Sequence, residues 1–374
     1  MVSITRVTKE EELRQFIEFP YQLYKNDRYW VPPLKRDVHH LLDASKNPFW
    51  DHSERELFLA LRDGRVVGRI AAIVDRNFIK VWNENTGYFG FFECENDVEA
   101  AKKLYGAVHE FQRSKSMAKY IGPMNPSTNE ECGFLLVGYD SSPFIMMTYT
   151  PEYYHDLALA SGLQKAKDLY AYYVDTKDAP VEYLERITAI VKKRVKGLVV
   201  RCVDMKHFDE EVMKIRDVYN DAWSRNWGAV AMTDDEFRQI AKNLKSLVVP
   251  ELVLLAEIDG VPAAASLSVP NYNEVLKRLG GRLGPIEMLK FLYYKGKISE
   301  ARLVIMGVRR QFQKMGLESF LYLESFKEGI RRGYKGGELS WTLEDNYEVN
   351  HGIMKMGGKL YKQWRMYQGA VAKS

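Results

Sequence analysis

A chain of 374 residues with 46% hydrophobic and 28% charged side chains is long enough for two domains and too apolar to be disordered. Its 54 basic and 50 acidic residues leave a formal charge of +4, which argues against a nucleic-acid-binding protein and is compatible with an anionic small ligand. Cys94, Cys132 and Cys202 are too far apart for a disulfide framework or zinc knuckle, and without a His-Glu-x-x-His pattern no metal site is expected.

In chain order, the first dozen residues are acidic and carry no apolar core of a signal peptide. No apolar run approaches the ~18 residues of a membrane-crossing helix. The expectation is a soluble, cytoplasmic protein with no membrane partner. Phe19-Pro20-Tyr21 and the stretch from Trp30 to Pro33 read as a rigid aromatic cap, and His39-His40 as an exposed helix face. Residues 57–74 form two apolar runs around Asp63-Gly64, a strong hairpin signal. A strand over Tyr88–Glu93 then enters a helix through an acidic turn, and Gly122–Glu131 is a loop rich in hydrogen-bonding turn residues. Gly162 ends a helix, and the aromatic run Leu169–Tyr173 follows as a strand. The polar stretch Asp175–Pro180 marks a boundary, giving domains over 1–175 and 176–374.

The second half predicts a strand at Leu198–Val203, a helix at Asp209–Trp223 and a helix begun by Thr233. A hairpin over 252–269, centred on Asp259-Gly260, comes next, then an amphipathic stretch at Ile286–Tyr294. Ala301–Met306 is a strand, Ser319–Arg332 a helix, Gly337–Thr342 a strand, Tyr347–Met356 a helix and Tyr361–Tyr367 a final strand. The two Asp-Gly hairpins lie 196 residues apart, and each half ends with a Gly-terminated helix and an aromatic strand. That shared order implies a duplicated domain of α/β class. The antiparallel hairpins require a mixed, α+β-like sheet.

The segment from Val308 to Ser319 joins a strand to a helix and carries Arg309, Arg310, Gln313 and Lys314, with Gly316 where the helix opens. Unpaired N–H groups at a helix start, a glycine and nearby cations suit a phosphate or pyrophosphate. The spacing is neither a Walker A loop nor a Rossmann fingerprint. With the preceding hairpin and strand, this loop resembles the signature of the GNAT superfamily of acyl-CoA-dependent N-acyltransferases. Asn346 matches a downstream family asparagine, and Lys355-Met356-Gly357-Gly358 a family helix end. The resemblance covers residues 197–368, and more loosely 1–174, so the chain looks like two GNAT-like domains in tandem.

The resemblance implies acetyl transfer from acetyl-CoA, or another acyl-CoA, to a small-molecule or peptide amine by direct attack. It implies coenzyme contacts from Val308, Arg309, Arg310, Gln313, Lys314, Met315, Gly316, Leu317, Ser319 and Asn346. A strand bulge near Met306–Val308 would offer N–H groups to the thioester oxygen. Candidate bases are Glu257, Glu344, Asp345 and His351, and candidate acids Tyr347 and Tyr361. The family's tyrosine position is occupied by Ile353, and Glu318 stands where the family has Gly or Ala. Asn129, Trp223, Asn226 and Trp227 are candidates for acceptor contact. The acidic turn after Tyr88–Glu93 has no glycine, Arg or Lys, so the first half is expected to bind no CoA. A second reading is a non-catalytic, GNAT-fold ligand-binding or scaffold protein. A tRNA-dependent relative is the weakest reading, because the charge is low.

Overall fold

The computed structural model describes residues 1–371. Its strands in chain order are β1 Val2–Arg6, β2 Ser53–Arg62, β3 Arg65–Asp75, β4 Thr86–Cys94, β5 Lys119–Gly122, β6 Met124–Asn125, β7 Glu131–Cys132, β8 Phe134–Val137 and β9 Gln164–Asp175. The second half adds β10 Leu198–Cys202, β11 Val253–Ile258, β12 Val261–Pro270, β13 Glu300–Val308, β14 Gly336–Leu343 and β15 Lys359–Ala370. The chain forms two compact units. One comprises residues 1–169, 275–292 and 362–371; the other comprises 170–274 and 293–361. Neither unit is continuous in sequence.

The first unit orders its strands β1-β2-β3-β4-β5-β15, with β8 also pairing β15. The β2–β3 hairpin turns at Asp63 and Gly64, both at positive φ (52° and 79°), as a two-residue turn between right-twisted strands requires. Strand β3 is buried along nearly its whole length, because helices cover both its faces. Ala101, Leu104 and Val108 of helix Val98–Ser114 pack on Ile70, Ala72 and Phe89.

The second unit repeats the plan in the order β9-β14-β13-β12-β11-β10. Its β11–β12 hairpin turns at Asp259 and Gly260 with φ of 51° and 78°, nearly the angles of its counterpart. One face of the hairpin receives Val212, Ile215 and Val218 of helix Phe208–Trp223 against Val253, Leu255 and Ala265. The other packs Leu254, Ala256 and Ala264 on Leu317 and Leu321 of helix Leu317–Arg331. Truncating a fully buried leucine there costs about 2–5 kcal/mol. Thr233 caps helix Asp234–Leu244, its hydroxyl accepting from the Glu236 N–H while the Glu236 carboxylate accepts from the Thr233 N–H.

The mixed-sheet, tandem organisation agrees with the expectation from sequence. The predicted elements of the second half all appear, with ends moved by a few residues. Two helices were not foreseen, Val181–Arg194 and Asn273–Leu279; the first follows the polar stretch at once, and its Leu184 packs with Leu323 and Met356.

Candidate active site

Strands β13 and β14 are parallel, and their pairing runs only from Glu300↔Gly336 to Leu303↔Leu339. Immediately beyond, Leu267 of β12 faces Ile305 while Ser268 faces Leu303, so Val304 is an extra residue in β13. A bulge bends its strand. Here the strand leaves β14 and continues to Val308 paired on its β12 edge alone. The bulge anticipated at Met306–Val308 thus lies earlier, at Val304. The result is a wedge between β13 and β14, with one edge of residues 304–308 unpaired among the described strands.

A buried polar cluster forms the floor of the wedge. The Arg302 guanidinium donates to Ser340 Oγ at 2.9 Å and to the Ser340 carbonyl at 3.2 Å. The Glu338 carboxylate accepts from Ser340 Oγ and from Tyr361 Oη, and lies 3.5 Å from Arg302. Burial first, and then the adjacent Glu338 charge, push the Tyr361 phenol far above its ordinary pKa. These groups come from three strands and cross-link β13 to β14 just before the two part.

At the top of β13, Arg309 and the short turn Arg310–Phe312 lead to Gly316, which opens helix Leu317–Arg331 at φ +80°. Lys314 also has positive φ, 64°. Gly316 offers no side-chain cap, and among the described residues the N–H groups of residues 314–318 find no acceptor in the chain. That is a ready anion site. Lys314 and Met315 are exposed around it, Leu317 is buried in the core beneath, and Ser319 Oγ donates to the Gly316 carbonyl at 2.6 Å. Glu318 is exposed on the first helical turn and acts on Tyr322, one turn onward, whose phenol is pushed up by burial and then by that charge.

The other predicted coenzyme residues are partly committed. Arg309 donates to the Pro262 carbonyl at 3.3 Å and so turns back toward the hairpin. Arg310 is held by Asp221, which accepts from its backbone N–H at 2.6 Å and pairs with its guanidinium at 3.3 Å. Gln313 reaches back to the Val308 carbonyl at 3.5 Å. Val308 closes β13 against the cluster of Ala264 and Leu317. Asn346 caps helix Tyr347–Lys355, its side chain accepting from the Val349 N–H.

Trp223 stands over the same strand end. Its ring stacks on Tyr219 at 4.6 Å and covers Gly307 so closely that a Cβ there would lie 2.3 Å from the indole. Glycine is therefore required at 307. Asn226 and Trp227 continue the turn after Trp223, the Asn226 N–H donating to the Trp223 carbonyl at 2.8 Å. Asn129 belongs to the first unit, where it closes the turn between β6 and β7 by donating to Ser127 Oγ at 3.2 Å.

Among the candidate bases, Glu257 is tied up. Its carboxylate pairs with Arg201 at 2.9 Å and Lys214 at 3.1 Å, and Glu211 shares both cations. Burial works to raise both carboxyls, but the two cations outweigh it and hold them below the ordinary range. Glu344 and Asp345 form the turn at the end of β14, the other lip of the wedge. His351 and Tyr347 are exposed on the helix that follows. Ile353 is buried with Tyr172, Val174 and Leu339, so it presents no polar group.

The first unit has the same wedge, filled. Strands β4 and β5 pair only from Thr86↔Lys119 to Tyr88↔Ile121, and the β3–β4 ladder slips between Arg69 and Ala71. In the gap, the Phe91 N–H donates to Asn125 Oδ1 at 2.6 Å, and a Cβ on Gly90 would meet the Met124 carbonyl at 1.7 Å. Its helix start is closed as well. Asp97 accepts from the Ala100 N–H at 3.1 Å, and Arg62 pairs with Asp97 and Glu99 at 2.6 and 2.9 Å. The chain's own carboxylates cap this helix start, whereas the start at Gly316 has no side-chain cap.

The sequence points to the helix start, Trp223, Tyr361 and the loop that holds Asn125, but not to Asp221 or to the Arg302, Glu338 and Ser340 that gather around Tyr361. Gly307, a lone glycine inside a strand, was the available signal for close approach. The cluster gave none, since its members are spread over 60 residues of sequence.

No family model matches the chain. It is 36% identical over 384 residues to the bacterial ceramide synthase of Caulobacter vibrioides, spanning 99% of this chain and 98% of that protein. It is 33% identical over 370 residues to protein YghO of Escherichia coli, spanning 97% and 94%. Among solved structures, a tandem GNAT protein from the clavulanic acid biosynthesis pathway superposes with a TM-score of 0.59, at 12% identity and over the whole of both chains. That likeness shows the fold. With two full-length relatives above 30% identity, the chain belongs to the family of the bacterial ceramide synthase and YghO, and it is built on the tandem GNAT fold.

Proposed function

We propose that the protein is an acyl-CoA-dependent N-acyltransferase whose second half holds the coenzyme. The observation that carries this reading is the open wedge of β13 beside the uncapped helix start at Gly316. An open strand edge suits the two amides of a pantetheine arm, and free N–H groups beside Lys314 suit a pyrophosphate. The amine nitrogen forms a bond to the thioester carbonyl carbon, the C–S bond breaks, and CoA leaves as a thiolate. The attacking amine must be neutral and must shed a proton after attack, so a base is needed at the wedge mouth. Glu344, Asp345 and His351 are the candidates, since they lie on or just after the lip of β14. Glu257 is engaged by two cations and drops out of the proposal. Tyr347 or water reprotonates the thiolate more readily than Tyr361, whose proton is held by Glu338. Asn226 and the ring of Trp223 border the acceptor side.

The GNAT resemblance implies acetyl-CoA as donor. The relative's name implies a fatty acyl group and a long-chain amino alcohol, because a ceramide is the amide of those two. Identity of 36% along nearly the whole chain weighs more for substrate class than a fold likeness at 12%. The fatty acyl donor is therefore our reading. The test is thiol release, with mass spectrometry of the amide, from acetyl-CoA and palmitoyl-CoA offered with sphinganine or with short amines. Amide from palmitoyl-CoA and sphinganine is the expected result. Turnover of acetyl-CoA alone restores the acetyl donor, and CoA binding without turnover supports the scaffold reading. Absence of any CoA binding refutes the proposal.

A further inference from the structure

Helix Pro285–Lys295 has no buried residue. Its large side chains are not polar. Ile286, Leu289, Leu292 and Tyr293 are 61–69% exposed, and Met288 is 43% exposed. On a helix of 3.6 residues per turn, Pro285, Ile286, Met288, Leu289, Leu292 and Tyr293 share one arc of about 160°. Glu287, Phe291 and Tyr294, which are partly buried, fall on the opposite side. An apolar stripe of this width normally faces a core; here it faces outward.

The charges are arranged around the stripe. Lys290 and Lys295 flank the apolar arc on its two sides, the position from which long amphipathic side chains reach past a buried face to anionic groups; the Lys295 ammonium makes one long contact, 3.4 Å to the Ser246 carbonyl. Lys297 follows, donating to Tyr293 Oη at 2.6 Å with its ammonium 3.9 Å from that ring. A tyrosine with an apolar ring and a polar tip beside a lysine is a common anchor at a membrane–water boundary. Arg282 lies just before the helix. The one acid of the helix, Glu287, is turned away, accepting from the Gly284 N–H at 3.1 Å. No helix among the described residues is long and apolar enough to cross a membrane.

We propose that this helix is an interfacial anchor that lays its apolar stripe into the surface of an anionic lipid bilayer. The occupant follows from the pattern: an apolar stripe between lysines matches the acyl boundary and anionic headgroups of a bilayer in one contact. A protein groove would need only the stripe. The expectation of no membrane partner rested on the missing span and left a surface helix unconsidered. The proposal is independent of the acyltransferase reading, since it needs neither CoA nor turnover.

The test is co-sedimentation of the full chain with vesicles of phosphatidylcholine alone and of phosphatidylcholine and phosphatidylglycerol in equal parts. Binding to the anionic vesicles, weakened by salt, is expected. Leu289→Glu with Leu292→Glu should weaken it about tenfold or more per leucine, and Lys290→Gln with Lys295→Gln about fivefold per lysine. All four side chains are exposed, so circular dichroism and thermal midpoint should stay as in the parent. A parent chain that stays in the supernatant with both vesicles overturns the proposal. So does vesicle binding that persists in the leucine variant. A concentration-dependent dimer in light scattering that the leucine variant abolishes, with no vesicle binding, assigns the face to a second copy and overturns it too.

Discussion

Gly316→Asp would give the second half the helix start that the first half already has. In the first unit Asp97 accepts from the Ala100 N–H, and no room is left for an external anion. At 316 the backbone φ is +80°, where an L-residue is strained by roughly 1–2 kcal/mol, less for Asp than for most. The new Cβ would meet Val191 Cγ2 at 2.9 Å, so that methyl must shift by a few tenths of an ångström. A helix-capping carboxylate returns about 1 kcal/mol. The fold should therefore lose no more than about 1–2 kcal/mol. Coenzyme binding should suffer much more. A carboxylate about 5 Å from a phosphate charge at an effective dielectric near 20 costs about 3 kcal/mol, or roughly a hundredfold in Kd. The assay is calorimetric titration with CoA, with urea unfolding alongside. Gly316→Asn carries the same shape without the charge and should lose less than about tenfold. If the Asp and Asn variants bind equally well, or the Asp variant binds as the parent does, the helix start is not the pyrophosphate site.

Asn125→Ala in the first unit removes the acceptor of the Phe91 N–H and should cost about 1–3 kcal/mol in urea unfolding. Affinity for CoA should not change, and a weakened affinity would mean that the first half takes part in binding it. Arg201→Met removes a cation shared by Glu211 and Glu257. The folded carboxyls sit below the ordinary glutamate range, so their stabilisation is complete above a pKa of about 4.3 and fades as pH falls through their folded values. The variant should be less stable by about 1–2 kcal/mol at neutral pH, since Arg201 is partly exposed, and the gap should close in acid. Chemical unfolding across pH reads this, and a gap that widens in acid would refute the sign.

Local signals carried far in this chain. The Asp-Gly hairpins were legible because positive φ at two successive positions demands those residues, and both turns adopt it. Helix starts were legible from Thr233 and Gly316, and the loop from Val308 to Ser319 from its glycine and cations. Register was not. Val304 reads as an ordinary β-branched strand residue, and its bulge exists only because β12 and β13 pair with one residue to spare. The commitment of Glu257 was equally hidden, since Arg201 and Lys214 are 56 and 43 residues away in sequence.

The sequence by itself determined that there are two similar halves, most of the elements of the second, and that the second half's strand-to-helix turn carries a glycine and cations where the first half's carries acids. Those properties depend on the residues at one place in the chain and on their neighbours. The tertiary structure decided which of two like wedges is open. Both halves part their parallel strands after a few pairs, but Met124 and Asn125 fill one gap, while among the described residues no strand pairs with β13 beyond Leu303 on its β14 side. It also decided that the apolar stripe of helix Pro285–Lys295 faces outward, because an amphipathic pattern fixes that one face is apolar and not what that face meets.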